Sequence, residues 1–234
     1  MSTGLAAKLA HRGIKTLLID CDLEGPNCAR IFGVQDKRMG LGPHIMPVVI
    51  SPMLGLLSVE NHPIVLANKM APVLLGESHR QFIGECLRAM QQLDYEVVVF
   101  DFPAEHGDAL HTLKQKLGTL HGMIIVTIPS KIATDNCRYA IKAARDLDIP
   151  IIGLIENMSK FTCECGREHR IFGEASNVQE LVKEFDLTYL GEQPFDPELA
   201  RNADRGIAVN NPILERVVDR LEKLWGLGKL GGRG

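Results

Sequence analysis

The chain has 234 residues, a formal net charge of -3 and a 45% apolar composition. That length fits one large domain or two small ones with a sizeable core, and the mild acidity argues against a dedicated nucleic-acid binder, leaving room only for a local basic patch. No apolar run is long enough to span a bilayer, the N-terminus lacks the basic, apolar, small-residue order of a secretory signal, and six cysteines in such a chain are not a disulfide framework, so the expected setting is cytoplasmic.

Ser2 to Arg12 reads as a helix, with Ser2 or Thr3 as cap, Leu5, Ala6 and Leu9 on one face, and Gly13 as the stop. Ile14 to Asp20 is a short apolar strand between turn signals, Gly13 before it and Gly25-Pro26 after it. Arg38 to Pro47 is a Gly/Pro-rich loop. Val48 to Ile50 and Leu54 to Val59 are short strand candidates, broken by Ser51-Pro52. Ser78 to Leu93 reads as a helix with Phe82, Ile83, Cys86, Leu87 and Met90 inward. Glu96 to Asp101 is a second firm strand, apolar on both faces as in the middle of a parallel sheet. Asp108 to Leu120 fits a helix, Met123 to Ile128 a strand, Ile132 to Leu147 a helix, and Ile151 to Ile155 a strand opened by Pro150. Lys160 to Arg170 is polar and reads as an excursion from the fold. Ala175 to Phe185 is helical, Thr188 to Gly191 a short strand, Asn211 to Trp225 a closing helix, and 226–234 a Gly-rich, flexible tail.

Apolar strands alternating with helices mean an α/β fold, doubly wound around a mostly parallel sheet. No repeat or linker divides it, so residues 1–225 are expected to form a single domain. In such sheets ligands gather at the C-terminal strand ends. Asp20 with Asp22, Asp101 and Asn157 all stand at such ends, expected on one sheet edge. Each alone has a bland alternative: a turn cap, a solvated carboxylate or a turn-forming Asn. Together they suggest a ligand site, and carboxylates grouped there suit a metal ion, a phosphate-bound magnesium or an attacking water. Cys21, Cys28, Cys86 and Cys137 are scattered and read as small buried apolar residues.

Several segments resemble one family. Leu18-Ile-Asp-Cys-Asp-Leu-Glu-Gly-Pro-Asn27 is similar to an "LLDxDxxGPS" motif, and Glu96-Val-Val-Val-Phe-Asp101 looks like a Walker B strand. Pro150 to Ser159 resembles "PxxGxxENMS", Glu192 to Glu198 "xxPxDPE", and Asp204-Arg-Gly206 the "DRG" that follows. These belong to the Mrp/ApbC-type iron–sulfur cluster carriers, a branch of the ParA/MinD-like P-loop ATPases, and the match covers nearly the whole chain. The resemblance implies ATP and magnesium. Asp22 would orient the attacking water, with Asp20, Asp101 and Ser2 around magnesium. Ser2 and Thr3 would be the remnant of the phosphate loop, Asn157 would read the purine edge, and Pro194 and Asp196 would line the base pocket. These roles agree with the needs of in-line phosphoryl transfer, which are positioning and charge neutralisation.

The chain also departs from the family. The family opens with a strand and a Gly-rich phosphate loop; here Met1-Ser2-Thr3 stands where that loop closes with Lys-Ser-Thr. The expectation is that Met1 is an internal methionine of a longer protein that hydrolyses ATP, hydrolysis being impaired in the chain as it stands. A truncated relative whose gap a partner closes and a pseudo-ATPase that scarcely folds alone are the alternatives. Strands beside the missing one would lack a partner, at ~1–3 kcal/mol for each unpaired buried backbone group. After Asp101 the family's Pro-Pro-Gly-Thr-Gly-Asp becomes Pro103-Ala-Glu-His-Gly-Asp108, with bulky Glu105 and His106.

The third departure is the cysteine pair. The family bridges a 4Fe-4S cluster between two subunits with Cys-x-x-Cys; here the spacing is Cys163-Glu-Cys165. Two thiolates per chain then imply a homodimer with the cluster on its axis. In an extended segment both sulfurs would point the same way. Zinc is the alternative metal and His169 an alternative ligand; free surface cysteines are the bland reading.

The leading expectation is thus an ATP-dependent iron–sulfur carrier that delivers to apoproteins, without nucleic-acid or stable membrane partners. One alternative is a ParA/MinD-like positioning ATPase whose closing helix, with its stripe of Ile213, Leu214, Val217, Val218, Leu221, Leu224 and Trp225, lies on a membrane. Another is a non-catalytic nucleotide- or metal-binding module.

Overall fold

Hydrogen-bond pairing between the strands, which the sequence pattern leaves open, is set out by a computed structural model that describes residues 1–23, 25–68, 77–103, 107–207 and 211–227. Two units emerge, one from Met1–Glu105 with Glu198–Gly234, the other from His106–Pro197. Glu105, His106 and the tail from 228 lie outside the described residues.

The first unit begins with α1 (Ser2–His11) and β1 (Thr16–Asp20). No side chain caps α1, contrary to the expected Ser2 or Thr3 cap, because Met1 stands at the cap position and Ser2 and Thr3 lie inside the first turn; the Ser2 hydroxyl donates to Asp101. Every residue of β1 is buried, and burying a Leu or Ile side chain contributes roughly 1.5–3 kcal/mol. After the short α2 (Cys28–Ile31), β2 (Val48–Ser51) and β3 (Leu54–Leu57) form an antiparallel hairpin. The 38–47 loop before them closes on itself through a Gly40–Met46 bridge. A 3-10 turn (Val59–Asn61) and α3 (Pro63–Asn68) follow, then α4 (Glu77–Gln92) and β4 (Val97–Asp101). Phe82, Ile83, Cys86 and Leu87 of α4 are buried as its periodicity predicts, while Met90 is half-buried.

The sheet of this unit runs β2-β3-β1-β4, with β3, β1 and β4 parallel. Among the described residues β4 pairs on one side only, and Val98 to Asp101 are half-buried. Among the described residues β4 thus stands at the end of its sheet and not, as its apolar run predicts, in the middle.

The second unit holds α5 (Gly107–Leu117), β5 (Met123–Thr127), α6 (Lys131–Asp146) and β6 (Ile151–Asn157). A small hairpin, β7 (Phe161–Thr162) with β8 (Glu168–His169), precedes α7 (Ala175–Glu184) and β9 (Tyr189–Gln193). The parallel sheet runs β5-β6-β9. Its core gathers Ile125, Ile141, Leu154, Val178, Leu181 and Phe185. β6 extends past the expected Ile155 to Asn157, because Glu156 and Asn157 pair with Glu192 and Gln193 of β9.

From Glu198 the chain rejoins the first unit through α8 (Pro197–Asp204) and α9 (Pro212–Trp225). α9 carries its own boundary signals: Asn211 accepts from the Ile213 N–H at 3.0 Å, Pro212 opens the first turn, and Gly226 closes it with φ 66°. Ile213, Leu214, Val217, Val218 and Leu221 are buried, so most of this stripe is occupied by packing, while Leu224 and Trp225 at its end stay exposed. Its charged flank meets α1, where Lys8 and Arg12 pair with Glu215 at 2.6 and 2.9 Å, and Arg12 reaches Asp219 at 2.8 Å. No described helix is long and apolar enough to cross a membrane.

Gly206, the last residue of the Asp-Arg-Gly segment, has φ 68° and faces Gly33, with φ 64°; a Cβ on Gly206 would lie 2.5 Å from the Gly33 Cα. Only two glycines permit this approach of backbone to backbone.

Candidate functional site

In the first unit the parallel register sets Asp20 of β1 beside Asp101 of β4. Asp20 is wholly buried. It accepts from the Ser58 hydroxyl at 3.1 Å and from the Asp22 and Cys28 N–H groups at 3.2 and 3.3 Å. Burial, and then the charge of Asp101, push its carboxyl up to about 6; desolvation disfavours the ionised form and a like charge adds to it.

Asp101 in turn accepts from the Ser2 hydroxyl at 2.5 Å and from the Cys28 thiol at 3.2 Å. Donor atoms of Asp20, Cys28 and Asp101 all lie within 4.8 Å of one another, the one such group of three among the described residues. The carboxylates and the Ser2 hydroxyl are hard oxygen donors of the kind magnesium takes. Cys28, which the sequence marks only as a small buried apolar residue, is indeed buried, but its thiol faces the carboxylates. No local pattern marks this, since the contact spans 73 positions.

Asp22 stands apart from that group. Its carboxylate accepts from the Gly25 N–H at 2.9 Å and the side chain is half-exposed, which shapes the turn after β1. Thr3 is buried in the first turn of α1.

In the second unit Asn157 closes β6 opposite Gln193 of β9. Met158 then turns into the left-handed region with φ 53°, uncommon for a residue with a side chain and a mark of a turn that its surroundings enforce. The Ser159 N–H donates to Gln193 at 3.1 Å, and the Phe195 N–H to Lys160 at 2.7 Å. Pro194 and Asp196 thus flank a residue bonded to the turn after Asn157.

Glu156, unremarked in the sequence beside Asn157, is buried, takes a hydrogen bond from Tyr189 at 2.9 Å and faces Arg170 at 3.7 Å. Burial raises its carboxyl above the usual range, with the Tyr189 hydrogen bond opposing. Burial likewise pushes the Tyr189 hydroxyl up.

The cysteine pair sits at the tip of the β7–β8 hairpin. The segment is not the extended one expected: the Gly166 N–H donates to Cys163 at 2.8 Å, and Cys163 donates to Arg167 at 2.9 Å, closing a tight turn. Cys163 is half-buried and Cys165 exposed, both free thiols. Arg167 donates to the Cys165 sulfur at 3.4 Å. It is the main cause, with the Cys163 thiol second, of a Cys165 thiol lowered to about 7. Cys163 and Cys165 are thus held in a turn and not in the extended segment that the spacing predicts. His169 does not join them in a group of three ligands within 4.8 Å.

A family model described as ParA, NUBPL iron-transfer P-loop NTPase, matches residues 1–223. The chain belongs to this family. An iron-sulfur cluster carrier protein of Methanocaldococcus jannaschii is 30% identical, over 95% of this chain and 80% of its own. One of Aquifex aeolicus is also 30% identical, over 92% of this chain; this chain spans 59% of that relative's length. Among solved structures, the nucleotide-binding protein of Archaeoglobus fulgidus, in complex with ADP and with cobalt, superposes with a TM-score of 0.70 at 25% identity, over 88% of this chain and 79% of that one. MinD of Pyrococcus horikoshii with Mg-ADP gives 0.62 at 18% identity, over 97% and 91%, a likeness of fold. The mostly parallel α/β architecture is that of the ParA/MinD-like P-loop NTPases.

Proposed function

We propose that this chain is a nucleotide-dependent iron–sulfur cluster carrier of the cytoplasm, which holds a 4Fe-4S cluster as cargo between two copies and passes it to apoproteins. The observation that carries the reading is the hairpin tip. It offers Cys163 and Cys165, one exposed and one half-buried, with an arginine favouring thiolate at Cys165. Thiolate is the ligating form. A 4Fe-4S cluster needs four ligands, so a two-fold pair of hairpins completes the set. Cargo must leave as well as bind, and an exposed tip gives a recipient's thiols access.

On the nucleotide side, Ser2, Asp20 and Asp101 are the residues that would hold magnesium, which when bound neutralises phosphate charge. Asp22 orients the attacking water. Asn157 reads the purine edge, held at the strand end by its pairing with β9, while Pro194 and Asp196 line the base. ATP is the nucleotide.

Anaerobic reconstitution with ferrous iron and sulfide tests this. The expected product is a brown protein with broad visible absorbance and one cluster per two chains. The Cys163→Ala/Cys165→Ala variant should take up none. Cluster uptake by that variant, or a wild type that binds neither cluster nor zinc, defeats the proposal.

A further inference from the structure

A hairpin with two residues in each strand does not hold its shape in water, and β8 is exposed along its length. Something outside the hairpin positions the thiols. Two sets of contacts do so, and both lead to the turn proposed to read the base.

The first is polar. Lys160 bridges Glu168 of β8 and Glu192 of β9 at 2.9 and 3.3 Å. Arg170, just after β8, donates to the Ser159 carbonyl at 3.4 Å and faces Glu156. The second set is aromatic. Phe195, between Pro194 and Asp196, meets Phe161 edge-on at 6.0 Å and Phe172 at 6.4 Å between ring centroids. Phe161 opens β7, two positions before Cys163, and Phe172 lies just beyond Arg170. One ring on the base-lining segment therefore meets a ring in β7 and another three residues beyond β8, and the same residue's N–H bonds to Lys160 just before β7. The residue between Asn157 and Ser159 is held at positive φ, so displacement of this turn is not absorbed by a relaxed backbone.

We propose that Phe161 and Phe172 are positioning residues that link the base-reading turn to the thiol hairpin through Phe195, so that nucleotide and cluster alter each other's affinity. The inference rests on the proposed nucleotide and cluster sites and adds the connection between them. Linkage requires reciprocity: if ATP changes cluster affinity, the cluster changes ATP affinity by the same factor, about 5- to 150-fold in typical coupled sites. The rings transmit the effect by packing, because a close-packed contact moves as a unit.

The experiment is a binding cycle. The dissociation constant of ATP with magnesium is measured on the full chain, with and without anaerobically reconstituted cluster. Wild type should show a ratio of about 5 or more. In Phe161→Leu/Phe172→Leu, which keeps the side chains apolar but removes both ring contacts, the ratio measured on chains that have loaded cluster should fall to about 1 while cluster-free ATP affinity persists. Phe161→Tyr/Phe172→Tyr should retain the wild-type ratio. Should the double leucine variant not fold, Phe172→Leu alone is expected to lower the ratio. An unchanged ratio in the leucine variants, or a wild-type ratio of 1, overturns the coupling and leaves both sites standing. A wild type that takes up no cluster strikes the carrier reading, one that takes up cluster but no ATP strikes the nucleotide reading, and either removes the coupling with it.

Discussion

Asp20 and Asp101 end adjacent parallel strands in direct register, and the Ser2 hydroxyl donates to the second of them. Two neighbouring carboxylates, one wholly buried, repel unless a proton or a cation intervenes. Asp101→Asn removes one charge. Without magnesium the variant is expected to be at least as stable as wild type. Saturating magnesium should raise the melting temperature of wild type and leave the variant unmoved; at ~100 times Kd the gain is ~2.7 kcal/mol. Thermal melts with magnesium or chelator check this, and an equal gain in the variant removes Asp101 from the magnesium shell.

Gly33 and Gly206 meet backbone to backbone, both in the left-handed region. Gly206→Ala is expected to lose about 1–2 kcal/mol from conformation alone, and more from the contact with Gly33 Cα. Urea denaturation measures the loss. A variant as stable as wild type would show that the two loops separate freely.

Glu156 titrates above the ordinary glutamate value of 4.5, because it is buried. A carboxyl raised in the folded state binds its proton more tightly there than in the unfolded chain. Its contribution to stability is then complete below about 4.5, the unfolded value, and is lost as pH rises through the folded one. Glu156→Gln keeps an acceptor for Tyr189 and has no such proton. Its urea midpoint should fall less than that of wild type across the window just above 4.5. Parallel curves would mean that Arg170 already compensates the charge.

Much of this was legible in the sequence. The strand end at Asp20 follows from a short apolar run between Gly13 and Gly25-Pro26, and that at Asp101 from the run of Val97 to Phe100. The closing helix was marked by Asn211, Pro212 and its apolar spacing. α2 and α3 were missed because helices this short show too little periodicity. α8 was missed although Asp196-Pro197-Glu198 carries a helix-start signal. The hairpin at Phe161–His169 reads in the sequence only as a polar excursion, because strands two residues long show no alternation.

The sequence by itself determined the alternation of strands and helices, the carboxylates at strand ends and the paired thiols, because periodicity, caps and spacing act within a few residues. Tertiary structure alone decided what those groups meet. The Ser2 hydroxyl, one residue inside the helix, bonds to Asp101 across 99 positions, and Cys28 joins the carboxylates across 73. Register also settles Asn157, which β9 holds in a strand, and packing places Phe195 against the thiol hairpin. These choices depend on which distant backbone comes alongside, a matter of summed packing and desolvation that no local pattern encodes.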